Sequence, residues 1–185
     1  MPRQVRFETN QGDFVVEVSD STPITSGNFI SLVQDGFYDG LSFHRVIDNF
    51  CCQFGCPHSK NPGSNSAGSG GPTPNSTFTS LDGKQMSRNS SGCIPDEFVT
   101  QDSNLPGTLS MANTGRPNSG GSQFFINTVH NKYLDWFDKS TPSKHPVFGK
   151  IVAGFDVIGK ISKCPKGSGD KPNPPVIVTK ASVIQ

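Results

Sequence analysis

The chain has 185 residues, of which 32% are hydrophobic and 14 are Phe, enough apolar material for one core. Its 16 Lys and Arg nearly balance 15 Asp and Glu, and the formal charge of +1 excludes a strong field for nucleic acid or anionic membranes. No apolar leader opens the chain, and no apolar run could span a bilayer. We therefore expect a single domain over residues 1–185 in a monomeric protein that is not secreted and is cytoplasmic or nuclear.

The first segments predict a hairpin followed by a helix. Residues 5–9 alternate between apolar and polar side chains, residues 10–13 have turn chemistry, and residues 14–18 return as a second strand. A Pro at position 23 favours a helix start, and Gly36 is placed to end that helix. The chain thus begins with a strand, a turn, a strand and a helix.

The next predicted strand covers residues 42–47. Strict alternation along it places Phe43, Arg45 and Ile47 on one face and His44 on the other. We interpret His44 as a structural residue that makes hydrogen bonds.

Residues 57–92 are rich in Ser, Gly, Asn, Pro and Thr, with few apolar anchors. A segment of this length and composition is unusual inside a compact domain unless it has a function. We interpret part of it as an insertion that emerges beside a site. Residues 136–144 are a second candidate insertion, in which Trp136 and Phe137 form either a docking patch or a satellite packing cluster.

Four further strands are predicted, at residues 108–113, 122–127, 147–152 and 176–184, with an apolar helical stripe around residues 155–161. About eight strands and two helices result, which is typical of a barrel with helices at its ends. The fold class is therefore mainly β, an eight-stranded antiparallel β-barrel capped by two α-helices.

One predicted strand carries aromatic residues on both of its faces. Phe124 and Ile126 share one face, whereas Gln123, Phe125 and Asn127 share the other. In a closed sheet one of these aromatic rings fills the interior, and the other stays on the outer face, where it is available to a ligand.

The five cysteines are an odd number in a chain of this size, which favours reduced thiols over a disulfide framework. Cys51, Cys52, Cys56 and His58 lie close enough in sequence to raise a zinc or redox alternative. Their spacing is no known finger pattern and no second ligand pair follows. We predict neither a metal nor a cofactor.

Four stretches carry a family resemblance: FHRVI at 43–47, FCCQFG at 50–55, LSMAN at 109–113 and SQFFI at 122–126. In order and spacing they resemble the cyclophilins, and the likeness continues through residues 147–150 to the last strand. The resemblance implies a peptidyl-prolyl cis-trans isomerase that accelerates rotation about X-Pro bonds in proline-containing peptides and proteins, during folding or conformational switching.

The resemblance also implies the residues of the site. Arg45 matches the catalytic arginine. The proline pocket and its surroundings match these positions: Phe50, Cys51, Gln53, Ala112, Asn113, Thr114, Gln123, Phe125, Tyr133, Leu134 and His145.

Arginine suits this reaction for a physical reason. Resonance gives the amide bond a rotational barrier of roughly 18–20 kcal/mol, so a catalyst must bind the twisted amide better than either planar form. Twisting restores a lone pair on the proline nitrogen, to which a fixed guanidinium can donate a hydrogen bond. An apolar pocket that holds the proline ring completes the requirement, and no nucleophile is needed.

Two site positions depart from the family pattern. Cys51 stands where the family usually has Met, which makes the pocket roomier and raises the hypothesis that its oxidation stops binding. Tyr133 stands where the family often has Trp, so we expect cyclosporin to bind with reduced affinity.

These departures leave two alternatives to the isomerase. One is a proline-peptide binding module of the same fold with little catalytic activity. The more distant one is a redox-sensing protein, which would require a thiol at Cys51 with a pKa below the ordinary value.

Overall fold

The computed structural model describes residues 3–185. In chain order its regular elements are β1 (Gln4–Thr9), β2 (Gly12–Val18), α1 (Pro23–Gln34), β3 (Arg45–Ile47), β4 (Cys51–Phe54), β5 (Thr77–Thr79), β6 (Gln85–Ser87), β7 (Thr108–Met111), β8 (Phe124–Asn127), β9 (Val147–Ala153), α2 (Phe155–Ser162) and β10 (Val178–Val183). Eight strands form one antiparallel sheet in the order β10-β1-β2-β9-β7-β8-β4-β3, and β5 pairs with β6 in a separate hairpin.

Backbone contacts join the two ends of the eight-stranded sheet. Ser42 and Ile177 form an antiparallel bridge, and the N–H of Phe43 donates to the carbonyl of Val176 at 3.0 Å. These contacts link the residues before β3 to those before β10, so the sheet curls round on itself. The predicted eight-stranded antiparallel β-barrel with two helices is confirmed.

The predicted strand over residues 42–47 is wrong in its first half, because β3 begins only at Arg45. Phe43 is buried and packs on Phe54 with ring centroids 5.0 Å apart, whereas Arg45 is exposed. Phe43 pairs with Val176 while Arg45 pairs with Gln53 of β4, so one alternation does not run through both segments.

The interior of the barrel is filled by aromatic rings. Phe7 stacks on Phe14 at 5.0 Å, and Phe124 meets the edge of Phe29 at 5.5 Å. Phe29 is contributed by α1, which places this helix over one end of the barrel. Ile158 of α2 is also fully buried in the same core.

The start of α1 is capped from a distant part of the chain. The side chain of Thr22 makes no capping hydrogen bond at the predicted start of α1. The N–H groups of Ile24 and Thr25 donate instead to the carboxylate of Glu97, at 3.0 and 2.6 Å. A carboxylate at this end also interacts favourably with the helix dipole.

Residues 57–92 contain a 3₁₀ turn at Pro57–Lys60 and the hairpin β5–β6. Phe78 of this hairpin is buried in the main core, and the guanidinium of Arg88 lies 5.0 Å from the Phe78 ring. Arg88 also donates to the side-chain oxygen of Asn28 in α1 at 2.8 Å. The segment that the composition predicted as a loop therefore packs against the helix.

The aromatic residues near 136 form a satellite cluster. Trp136 stacks on Phe98 with centroids 5.3 Å apart, and its indole N–H donates to the carbonyl of Thr100 at 2.7 Å. Phe137 meets the edge of the indole at 5.8 Å. Trp136 and Phe137 are both half-buried, so of the two interpretations of this segment the packing cluster is the one observed.

Within residues 3–185, neither helix is long and apolar enough to cross a bilayer.

Candidate active site

A second, smaller apolar cluster lies apart from the main core. Cys51, Phe125 and Leu134 are buried in it, and the half-buried Phe50 and Ala112 pack against them. We call these five residues the outer cluster. Phe124 and Ile126, which flank Phe125 in β8, belong to the main core. The two faces of β8 thus divide between the two clusters, as the alternation in the sequence predicts.

The strand register brings the predicted catalytic residue to this cluster. Arg45 of β3 pairs with Gln53 of β4, and Gln53 pairs in turn with Phe125 of β8. Residues opposite each other in neighbouring strands project to the same side of a sheet. Arg45, Gln53 and Phe125 therefore form a row across the outer face.

The guanidinium of Arg45 faces the ring of Phe50, with its central carbon 5.8 Å from the ring centroid. Arg45 is exposed and takes part in none of the ion pairs found among residues 3–185. The positive charge is thus held beside an apolar surface and is not neutralised by a carboxylate.

The amide of Gln123 is held in one orientation by its neighbours. Its nitrogen donates to the carbonyls of Gly68 and Gly70 at 2.9 and 2.8 Å, and its oxygen accepts from Gln53 at 3.0 Å. The 57–92 segment therefore does emerge beside the site. Next to this pair a groove of about 450 Å³ includes Ala112 and Thr114 in its lining.

His145 and Asn113 close the site on the side of β7. His145 meets the edge of the Phe125 ring with centroids 5.3 Å apart, and its Nδ1 lies 2.9 Å from the carbonyl of Met111. Because a carbonyl only accepts, Nδ1 must carry a proton. Burial lowers the pKa of His145, which favours the neutral ring. The Asn113 amide donates to the carbonyl of Lys144 at 2.7 Å.

Tyr133 and Leu134 come from the 3₁₀ turn Lys132–Leu134. Leu134 is buried in the outer cluster, whereas the Tyr133 side chain is 50% exposed and stacks on Phe50 at 6.2 Å. The structure therefore brings the predicted residues together around one surface.

The three thiols between positions 51 and 56 face different surroundings. Cys51 lies in the outer cluster, Cys52 lies in the main core, and the sulfur of Cys56 accepts the N–H groups of Gly68 and Gly70 at 3.1 and 3.3 Å. Across residues 3–185, no group of three His, Cys, Asp or Glu side chains is arranged to hold a metal ion.

Burial raises the pKa of Cys51 to about 12, and the positive charge of Arg45 only partly opposes this shift. A reactive thiol needs a lowered pKa and access to solvent, and Cys51 is 1% exposed. The geometry therefore argues against the redox alternative.

Sequence reasoning missed the buried polar residues that fix the backbone of Phe50 through hydrogen bonds. Asn131 donates to the carbonyl of Phe50 at 3.0 Å and to the side chain of Asn127 at 2.8 Å, and both asparagines are buried. The one available indication was Asn127, a polar residue on the same strand face as Phe125. Its partner four residues later lies outside any strand and has no periodic pattern.

These features define a class of protein. A barrel closed by helices carries its site on the outer sheet face, where one arginine lies beside a small apolar surface. The thiol of Cys51 there is buried with a raised pKa, and the described residues include no group of side chains arranged to hold a metal. Such a site can bind and polarise a ligand, but it has no group placed to form a covalent intermediate.

Comparisons with known proteins give the family. The profile of the cyclophilin type peptidyl-prolyl cis-trans isomerases matches residues 4–183. Peptidyl-prolyl cis-trans isomerase-like 1 of Emericella nidulans is 33% identical over 187 residues, which cover 100% of this chain and 97% of the relative. Peptidyl-prolyl cis-trans isomerase CYP18-1 of Arabidopsis thaliana is 36% identical over 169 residues, covering 91% and 88% of the two chains.

The solved structures agree. A crystal structure of a Cryptosporidium parvum cyclophilin type peptidyl-prolyl cis-trans isomerase superposes with a TM-score of 0.77 at 28% identity, covering 100% of this chain and 99% of the other. The chain belongs to the cyclophilin-type peptidyl-prolyl cis-trans isomerase family, and its activity is that of an isomerase.

Proposed function

We propose that this isomerase binds X-Pro segments of polypeptides on the outer cluster, with the proline ring on Phe50, Phe125 and Leu134. The observation that carries the proposal is the Arg45 guanidinium, which is unpaired among the described residues and lies 5.8 Å from the Phe50 ring centroid. The Cryptosporidium parvum enzyme has also been crystallised in the presence of the dipeptide Ala-Pro, which supports the same ligand class here.

Arg45 acts on the twisted amide. As the X-Pro bond rotates, the proline nitrogen becomes pyramidal and regains a lone pair, which can accept a hydrogen bond from the guanidinium. The planar amide nitrogen is a poor acceptor, so this hydrogen bond lowers the energy of the transition state more than that of either isomer. No covalent bond is made or broken.

The rest of the site holds the segment while the bond turns. The outer cluster fixes the ring by apolar contact, since its members are already buried or half-buried against one another. The Gln53 amide is oriented by Gln123 and can hold a peptide group. The Asn113 side chain is engaged with the Lys144 carbonyl, so any grip on the peptide at Asn113 comes from its backbone.

The test compares the wild type with Arg45→Ala and Arg45→Lys by exchange NMR on a short X-Pro peptide. We expect Arg45→Ala to lower kcat/KM by about 10²–10³-fold, as loss of a transition-state donor does, while the peptide still binds. Arg45→Lys should recover part of the rate, because it keeps the charge but loses the rigid fork of donors.

Arg3→Ala is the matched control, since Arg3 is also exposed and lies outside the site. An Arg45→Ala protein that isomerises at the wild-type rate contradicts the proposed role. The passive proline-binding module would give shifted peptide resonances without exchange broadening in the wild type.

We further propose that cyclosporin binds the same surface with reduced affinity. Tyr133 is 50% exposed beside Phe50 and offers a phenolic hydroxyl where an indole N–H would stand. Tyr133→Trp should raise cyclosporin affinity about fivefold, the worth of one hydrogen bond, with isomerisation unchanged. Titration calorimetry measures this, and nanomolar binding by the wild type would contradict it.

A reducing compartment, cytoplasmic or nuclear, is the proposed location. All five cysteines are unpaired, and Cys51, Cys52 and Cys56 are buried as thiols. Proteins from oxidising compartments more commonly pair their cysteines.

A further inference from the structure

A second cavity opens beside Arg45 and shares Arg45 and Gln53 with the candidate active site. Its volume is about 420 Å³. Loop residues from two distant segments complete the lining, and we call the cavity the basic pocket. Its lining residues are His44, Arg45, Gln53, Asn65, Ala67, Gly68, Ser168, Gly169 and Lys171.

The charged lining of the basic pocket has one sign. Arg45 and Lys171 are both cations, and neither Asp nor Glu lines the cavity. Asp170, the neighbour of Lys171 in sequence, is exposed and is not part of the lining. Over residues 3–185, neither cation takes part in an ion pair. The Lys171 ammonium donates only to a neutral carbonyl, that of Ser64, at 2.6 Å.

His44 adds an unpartnered polar group to this charged wall. His44 is only 6% exposed, and neither ring nitrogen has a hydrogen-bond partner of good geometry within the described part of the chain. The predicted hydrogen bond of His44 is therefore not formed with good geometry, although the Gln123 amide lies close enough to the ring to influence its pKa. Buried polar groups normally have a partner, so a ring without one at a cavity wall is free to bond to a ligand in the pocket.

The electrostatics of His44 agree with this arrangement. Burial lowers its pKa to about 4, a nearby Gln123 amide opposes the shift, and the positive charges of Arg45 and Lys171 lower the pKa further. The ring is thus neutral near pH 7 and can donate one N–H. The basic pocket therefore combines two unpaired cations with a neutral donor, a combination that suits an anion.

We propose that the basic pocket is a specificity subsite for a side-chain carboxylate or phosphate on a residue flanking the substrate proline. This inference rests on the proposed function, because Arg45 and Gln53 connect the pocket to the proline site. Arg45 lies beside Phe50 of the outer cluster and also lines the basic pocket with Lys171, so a residue flanking a proline bound on the outer cluster would face this pocket. The guanidinium has five N–H donors, so it can face the anion with some and the proline nitrogen with others.

The experiment uses matched peptides in which one position near the proline is Glu, Gln, phosphoserine or Ser, placed in turn two residues before, one after and two after it. At one of these positions we expect kcat/KM for the acidic peptide to exceed that for its neutral partner by about two- to fivefold at low ionic strength. The preference should weaken with added salt, since the site is open to solvent. A preference for Glu, or for phosphoserine alone, identifies the anion.

Lys171→Gln is the informative variant, because it removes the charge and keeps a donor for the Ser64 carbonyl. We expect it to reduce the ratio of kcat/KM for the acidic peptide to kcat/KM for the neutral peptide to about one. Lys163→Gln, at an exposed lysine outside the pocket, should leave this ratio unchanged. Using a ratio within each variant cancels general losses of folded protein. A wild-type ratio near one at every position, or a ratio that survives in Lys171→Gln, overturns the proposal.

Calorimetric titration of the same peptide pairs separates this inference from the proposed function. If the wild type isomerises none of the peptides, the proposed function fails. Binding then tests the subsite by itself. Tighter binding of the acidic peptide that is lost in Lys171→Gln supports the subsite, and equal binding of both peptides rejects the subsite.

Discussion

Arg45 shows how a single residue becomes available for chemistry. It occupies the first position of a three-residue strand, where pairing with Gln53 fixes its backbone and its side chain projects outward over Phe50. An ion pair with a carboxylate of the protein itself would hold the guanidinium in one position and occupy N–H donors before any substrate binds. The absence of such a pair among residues 3–185 leaves the full charge for the ligand.

Cys51 makes the opposite case, a group that lies at the site and is chemically quiet. We expect mild peroxide to leave the isomerisation rate unchanged, because the buried thiol stays protonated and little of it is exposed. At pH 8, iodoacetamide should label Cys93, which is half-buried, about tenfold faster than Cys51. Peptide mass spectrometry measures both rates.

The contribution of the Cys51 thiol to the stability of the fold changes with pH in a defined direction. Burial raises the pKa of Cys51 from 9.0 to about 12 in the folded protein, so the folded state binds a proton that the unfolded state releases. Its contribution to stability is present below pH 9.0 and is lost as the pH rises toward 12. In the iodoacetamide experiment, faster labelling of Cys51 than of Cys93 would contradict a buried, protonated thiol at Cys51.

At the scale of the element, α1 illustrates a conflict between local preference and packing. Gly lowers helix stability by about 1 kcal/mol relative to Ala, so sequence alone favours Ala at Gly27. A Cβ atom built at Gly27 would lie 2.5 Å from the Ser80 Cα and 2.7 Å from the Thr79 carbonyl oxygen. The helix can approach the β5–β6 hairpin this closely only without a side chain.

Gly27→Ala is therefore expected to destabilise the protein by about 1–3 kcal/mol, the usual cost of overpacking. Gly159→Ala in α2 is the matched control, because a Cβ there meets nothing within 4 Å. We expect that variant to gain up to about 1 kcal/mol from helix propensity. Urea denaturation gives both free energies of unfolding, and equal effects of the two substitutions would show that packing at Gly27 is not limiting.

The segment 57–92 contacts both the main core and the candidate active site. Its hairpin inserts Phe78 into the main core, and its glycine-rich part offers the carbonyls of Gly68 and Gly70 to Gln123. The buried sulfur of Cys56 holds the N–H groups of the same two glycines. An apolar anchor and a thiol thus position a loop that itself has almost no hydrophobic side chains.

At the scale of the whole molecule, one sheet carries two separate apolar clusters, one on each side. The interior side holds the packed aromatic core, and the outer side holds the outer cluster with Arg45 at its border. The buried Asn131 links Phe50 of the outer cluster to Asn127 of β8 through hydrogen bonds. Interiors are closely packed, so the core provides a rigid support for a site that lies on the surface.

Acid should destabilise the whole fold through its buried histidines. Burial lowers the pKa of His44 from 6.5 to about 4 and also lowers that of His145. The unfolded state therefore takes up protons first, and stability is lost as the pH falls from 6.5 toward 4. Chemical denaturation at a series of pH values measures the free energy of unfolding.

His44→Gln removes one of these two groups. We expect its free energy of unfolding to fall less steeply over the same pH range, while the carboxylate contributions common to both proteins cancel in the comparison. Identical slopes for the wild type and His44→Gln would mean that His44 is not buried in its neutral form.

The sequence by itself determined the local features. The alternation at residues 5–9 and 14–18 gave the first hairpin, Pro23 gave the start of α1, and the division of Phe124 from Phe125 gave two faces for one strand. These features depend on neighbours a few residues away, so periodicity and turn chemistry are sufficient to predict them.

Only the tertiary structure decided the rest. The register of β3, the capping of α1 by Glu97 and the hairpin within 57–92 depend on partners that are far away in sequence. The basic pocket is the clearest case, because it joins His44 to Lys171 across more than half of the chain. Long-range pairing is set by packing and backbone hydrogen bonds in three dimensions, and a linear pattern does not encode which distant segments meet.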